Sequence, residues 1–125
     1  MMKVIHSELA PKAVGPYSQA IVASGFVFAS GQLPIDPATG EFAEGGIKEQ
    51  TRQSLTNVTH VLAEVGIDLS HVVKTTVFLS DMANFAAMNE VYATFFSEPY
   101  PARSAVAVKT LPKNALVEVE VVAAL

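Results

Sequence analysis

ARSAVAVKTLPKNALVEVEVVAA, residues 102–124, consists of two alternating runs around a Pro-Lys-Asn turn. Side chains of an extended strand point by turns to the two faces of a sheet, so each run sorts its residues into two sets. In the second run Val117, Val119 and Val121 share one face, and Leu116, Glu118, Glu120 and Val122 share the other. In the first run Ser104, Val106 and Val108 fall together, opposite Arg103, Ala105 and Ala107. Taking the valine set of each run as the core side predicts a hairpin with one dry face. The second face then carries Arg103, Glu118 and Glu120 among small residues. That mixture suits neither open solvent nor a dry core, but it does suit an interface between subunits that contains a polar pocket.

Working outward, SQAIVAS (18–24) and FVFASGQL (26–33) are short β-prone runs on either side of Gly25 and predict a hairpin. PIDPATGEF (34–42) is dense in turn formers. IKEQTRQSLTNVTHVLAEVG (47–66) places Ile47, Leu55, Val58, Leu62 and Val65 at helical spacing and stops at Gly66. HVVKTTVFLSD (71–81) is β-branched and apolar on both faces, as a central strand should be. Asp81 or Asn84 can cap the next helix, FAAMNEVYATFF (85–96), with Phe85, Met88, Val91, Tyr92 and Phe95 as its buried stripe and Pro99 and Pro101 closing it. KVIH (3–6) is a further short strand. The expected architecture is α+β, one domain over 1–125 with a single sheet of about six strands and two helices packed on one face.

Composition narrows the function classes. Half of the 125 residues are hydrophobic and only 16% are charged, which is more apolar surface than one subunit hides and points to a homo-oligomer. The net charge of -4, without a basic stripe, argues against nucleic acid as a partner. No run approaches the ~20 apolar residues of a membrane helix, and the N-terminal stretch lacks the apolar core of a signal peptide. The expected location is the cytoplasm. The absence of cysteine excludes disulfides, thiolate metal sites and thiol nucleophiles. His6, His60 and His71 lack metal-ligand spacing, so no metal is expected.

Arg103 and Glu118 are the residues with chemistry to offer. A guanidinium is a planar fork of donors that matches a carboxylate, and Ala105 and Ala107 leave room beside it. Arg103 is therefore either a carboxylate clamp or half of an ion pair with Glu118 or Glu120, and the pattern leaves both open. Glu118 is either a general base towards a water near a ligand on Arg103, or a carboxylate on the solvent or interface side paired with Lys74 or Lys109. The second reading suits Glu120 better. Tyr17, after a Gly-Pro turn, lines a pocket or is an ordinary half-buried tyrosine. Ser30 precedes Gly31 at a strand end, where backbone amides become free; it has no activating neighbour and is not a nucleophile elbow. Asn89 interrupts the second helix between Met88 and Val91 and points inward or to solvent.

PARSAVAV followed by LPKNALVEVEVVA resembles the C-terminal signature of the RidA family, also called the YjgF family, of enamine/imine deaminases. GPYSQA, ASGQLPIDPATG, TRQSLTNVTHVLAEVG and VVKTTVFLSDMANFAAMN resemble that family too, in order along nearly the whole chain. The resemblance implies a chorismate-mutase-like fold, a homotrimer with clefts between subunits, and no cofactor or metal. It implies hydrolysis of 2-imino acids and their enamine tautomers to 2-oxo acids and ammonia. Carried over by position, Arg103 would clamp the substrate carboxylate and Glu118 would activate the attacking water. Tyr17, Ser30, Asn89 and the backbone near Gly31 would line the cleft, with Ala105 beside Arg103. Many relatives carry cysteine where this chain has Ala105, so thiol chemistry at that position is excluded. The alternative is a trimer of regulatory or chaperone-like character that binds small carboxylates without turnover.

Overall fold

A computed structural model describes residues 2–125. Its elements follow the order β1 (Lys3–Ile5), β2 (Ala20–Ala23), β3 (Phe26–Ala29), α1 (Ile47–Ala63), β4 (Val72–Leu79), α2 (Phe85–Phe95), β5 (Ala102–Ala107) and β6 (Val117–Ala124). One six-stranded sheet runs β1-β2-β3-β6-β4-β5, antiparallel except for the parallel β4–β5 pair. Leu55, Val58, Val61 and Leu62 of α1 and Met88, Val91 and Tyr92 of α2 are buried against one face of the sheet. This is the α+β arrangement expected from the sequence, with both helices on one side.

The helices start and stop for local reasons. The Glu49 carboxylate accepts the Gly46 amide at 2.8 Å at the head of α1, and Gly66, at φ 76°, lets the chain turn away beyond its end. Asp81 caps not α2 itself but the single 3-10 turn before it, where its Oδ1 accepts the Ala83 amide at 2.8 Å. Asn84 occupies the boundary of α2 without a side-chain bond.

Two expectations about the C-terminal strands are overturned. β5 and β6 are not a hairpin, because β4 lies between them. β4, α2 and β5 form a crossover unit whose strands are parallel neighbours, and β6 pairs with the other edge of β4. The faces of β5 are also reversed. Arg103 is level with Thr75, Ala105 with Val77 and Ala107 with Leu79, and these in turn align with Val121, Val119 and Val117. Arg103, Ala105 and Ala107 thus point to the helices. Ser104 and Val106 point to the open side with Glu118, Glu120, Thr76 and Phe78. Val106 is 46% exposed. Valine marks a core face only when the opposite face is polar. Here the open face is apolar as well, with Phe28, Val106 and Val122 upon it. Of the small residues of β5, Ala105 is half-buried against the core while Ala107 remains exposed.

Buried amides staple the loops that border the sheet. Asn57 donates to Leu33 O at 3.1 Å and Ile35 O at 2.9 Å, and accepts from Gln53 at 2.9 Å. Gln19 receives the Ser7 amide at 2.6 Å and donates to Ser7 O and Pro11 O at 3.2 and 2.8 Å. Gln50 receives the Leu116 amide at 2.9 Å, which anchors the approach to β6. Each satisfies backbone groups that could not otherwise be buried.

Candidate functional site

The chemistry lies in two separate half-sites. The first is at the edge strand, where Arg103 is half-buried between β5 and α2. Its Nη1 donates to Asn89 Oδ1 at 2.6 Å. Its Cζ lies 4.7 Å from the centre of the Tyr92 ring and 5.4 Å from that of Phe85. Contacts of this kind contribute roughly 0.5–2 kcal/mol each, more as water is excluded. The Tyr92 hydroxyl is bonded to Thr75 Oγ1 at 2.8 Å in the core. Among the described residues the ion pairs are His6–Glu8 and Lys48–Glu90, so no carboxylate pairs with Arg103. The ion pair with Glu118 or Glu120 does not form, because those residues occupy the other face. Nor do Lys74 or Lys109 pair with either glutamate; Lys74 donates instead to Ser104 Oγ at 3.2 Å. Ala105, two residues beyond Arg103 on the same face, is half-buried and packs against the hydrophobic core.

The second half-site is a cleft of about 810 Å³ on the opposite side of the sheet, with Tyr17, Ser30, Gly31, Gln32, Glu118 and Glu120 in its wall. β6 aims Glu118 into it, and the carboxylate rests directly over Gly31. A Cβ at that position would lie 2.5 Å from Glu118 Oε2 and 2.8 Å from Cδ. Burial, and after it the charge of Glu120, pushes the Glu118 carboxyl above its usual range. The amides on either side of Gly31 are spent, Ser30 N on Gln19 O at 2.9 Å and Gln32 N on Val119 O at 2.7 Å. Ser30 Oγ donates to Ser18 O at 2.6 Å across the open end of the β2–β3 hairpin, which leaves its lone pairs to accept from a ligand. Tyr17 is half exposed at the cleft wall, and its hydroxyl accepts the Val14 amide at 3.4 Å.

The sequence-derived residues thus divide into Arg103, Asn89 and Ala105 on one side and Tyr17, Ser30, Gly31 and Glu118 on the other. One chain does not bring the two sets together. Tyr92, Phe85 and Thr75 were missed as site residues, since a helix stripe of aromatics reads as core. The available signal was their spacing: Phe85, Asn89 and Tyr92 fall on one helical face, at i, i+4 and i+7. The histidines serve elsewhere, His60 donating to Leu9 O at 2.8 Å and His71 to Ala124 O at 2.9 Å.

The Gly31 contact has a measurable consequence. Glu118 ends in a flexible carboxylate that can swing aside, so Gly31→Ala is expected to fold with a melting temperature close to wild type. Its cleft carboxylate will be displaced, which a crystal structure of the variant will show as Glu118 Oε2 moved away from residue 31. An unmoved Glu118 carboxylate, or a variant that does not fold, would refute this reading of the contact.

Comparisons with known proteins converge. The family model described as Endoribonuclease L-PSP matches residues 7–125. A RutC family protein of Pyrococcus horikoshii is 55% identical over 123 residues, covering 98% of each chain. A goat protein named 2-iminobutanoate/2-iminopropanoate deaminase is 44% identical over 121 residues, covering 97% of this chain and 88% of its own. Among solved structures, RidA from an Antarctic Psychrobacter superposes with a TM-score of 0.94 at 44% identity, covering 98% of this chain and 99% of that one.

Proposed function

The chain belongs to the RidA (YjgF) family, the group described as Endoribonuclease L-PSP, and from that premise we propose that it hydrolyses 2-iminopropanoate, 2-iminobutanoate and their enamine tautomers such as 2-aminoacrylate to 2-oxo acids and ammonia. The observation that carries this reading is the complementarity of the two half-sites. Among the described residues, a guanidinium with no carboxylate partner and a half-buried carboxylate with no ion-pair partner lie on opposite faces of one sheet. Copies of the chain in a homotrimer join them, the Arg103 edge of one subunit closing over the Glu118 cleft of the next. The apolar open face, with Phe28, Val106 and Val122, supplies surface for that assembly.

In such a cleft Arg103 receives the substrate carboxylate on its unused N–H groups, each charge-assisted bond contributing roughly 1.5–3 kcal/mol. Asn89 holds the guanidinium from behind. Tyr17, Ser30 and the backbone at Gly31 bound the small substrate. Glu118 takes a proton from a water as its oxygen adds to the imine carbon. Glu118 hands that proton to the nitrogen, completing the carbinolamine; it then carries the new hydroxyl's proton to the same nitrogen, the C–N bond breaks, and ammonia leaves as the C=O forms. An enamine enters the same route after protonation at its terminal carbon. The imine carbon is already electrophilic, so no covalent nucleophile is needed. The acidic balance and dispersed histidines favour this over phosphodiester cleavage. The cytoplasm, where amino-acid dehydratases release such imines, is the proposed location; no helix is long and apolar enough to cross a membrane.

The test couples a threonine or serine dehydratase to the protein and follows loss of imine absorbance. Acceleration that Arg103→Ala abolishes supports the reading. Binding of 2-oxobutanoate without acceleration would make the protein a carboxylate-binding regulator instead.

A further inference from the structure

A half-buried arginine usually recruits an acid, but Arg103 faces two aromatic rings and one amide oxygen. That choice matters for a clamp. A carboxylate partner would fill the donor fork and neutralise the charge the substrate must meet. A π-face attracts the cation while leaving its in-plane N–H groups free. The platform is also rigid. Tyr92 is buried, its ring centre lies 4.5 Å from that of Phe96, and its hydroxyl is bonded to Thr75. Thr75 is the residue level with Arg103 on the neighbouring strand. A single buried bond therefore ties the ring on α2 to the sheet position beside the arginine it supports. Phenylalanine would fill the same volume. The hydroxyl must find a partner to be buried at all, and the one it has fixes where the ring lies.

We propose that Tyr92, pinned by Thr75, is a positioning residue that carries the Arg103 guanidinium on its ring and aims the free donor fork at the substrate carboxylate. This rests on Arg103 being the carboxylate clamp. Removing the ring lets the guanidinium tilt and weakens carboxylate binding, while the water and carboxylate that act on the imine are untouched. The effect falls on KM and on product affinity rather than on kcat.

The experiment measures 2-oxobutanoate binding by calorimetry and imine hydrolysis kinetics for Tyr92→Leu, Tyr92→Phe, Thr75→Val, the Tyr92→Phe/Thr75→Val double variant and Arg103→Ala. Tyr92→Leu is expected to raise both Kd and KM about tenfold with kcat within about twofold of wild type. Tyr92→Phe keeps the ring and largely rescues affinity, leaving a loss of about two- to threefold. Thr75→Val gives the same loss, and the double variant no more, because both break one bond. Should Tyr92→Leu fail to fold, the last three variants decide alone. Wild-type Kd in all the Tyr92 and Thr75 variants that fold, with binding lost in Arg103→Ala, would overturn the positioning role and leave the clamp intact. Undiminished binding in Arg103→Ala would instead remove the clamp.

Discussion

Arg103→Ala and Glu118→Gln subunits, each inactive alone, are expected to regain about a quarter of wild-type imine hydrolysis when co-refolded in equal amounts. The two side chains project from opposite faces of the same sheet, so in the proposed assembly a working site would take its arginine from one copy and its glutamate from another. Random assembly pairs an intact arginine edge with an intact glutamate cleft at about one contact in four, whatever the ring size. The double variant Arg103→Ala/Glu118→Gln, co-refolded in equal amounts with wild type, falls to about a quarter of wild-type activity rather than the roughly one half that dilution alone would leave. Activity in the mixed sample no higher than the sum of the two variants would mean that each chain assembles its own site, or that these residues do not cooperate.

Glu118→Gln by itself is expected to lower turnover by about 10²- to 10⁴-fold, the usual contribution of a positioned general base. It should leave assembly intact and melt no lower than wild type at neutral pH. Burial and Glu120 raise the folded-state affinity of Glu118 for its proton above that of the unfolded chain. Ionisation therefore costs the folded state stability at every pH above the ordinary carboxylate range, and the cost vanishes in acid, where both states are protonated. Any thermal gain of the Gln variant should accordingly be present at neutral pH and disappear on acidification. The same shift predicts the acid limb of kcat/KM. The base works only as carboxylate, so activity is lost as pH falls through a midpoint higher than an ordinary glutamate's. Glu120→Gln removes the repulsive neighbour and moves that limb to lower pH. Full turnover in Glu118→Gln would take Glu118 out of the chemistry, and a limb unmoved by Glu120→Gln would leave burial as the cause of the raised affinity.

Most of the elements were legible because their signals are local. The α1 stripe of Leu55, Val58 and Leu62, the Gly25 turn and the alternation of β6 depend on neighbours within a few residues. Arg103 and Glu118 stood out for the same reason, as charges in runs of small and branched residues. The pairing of β5 was not legible. The nine residues between Ala107 and Val117 read naturally as a hairpin connection, whereas the α2 crossover docks β5 against β4 and leaves the far edge of β4 to β6. The face of β5 was misread because alternation separates two sets without saying which is covered. Val106 resembles a core residue more than Arg103 does, yet Arg103 lies under the helix, where Tyr92, Phe85 and Asn89 accept it.

By itself, the sequence determined the α+β architecture, the two amphipathic helices, the valine face of β6 and the identity of the two charged residues of the proposed site. These follow from periodicity and from the cost of burying charge, and both are written residue by residue. Only the tertiary structure decided which strand lies between β5 and β6, that Arg103 and Glu118 look in opposite directions, and that Gly31 lies beneath the glutamate. Those depend on which surfaces meet across the chain, which no stretch of neighbouring residues records. The helices settle on the face bearing Val117, Val119 and Val121, leaving the guanidinium and the carboxylate on opposite sides of one sheet.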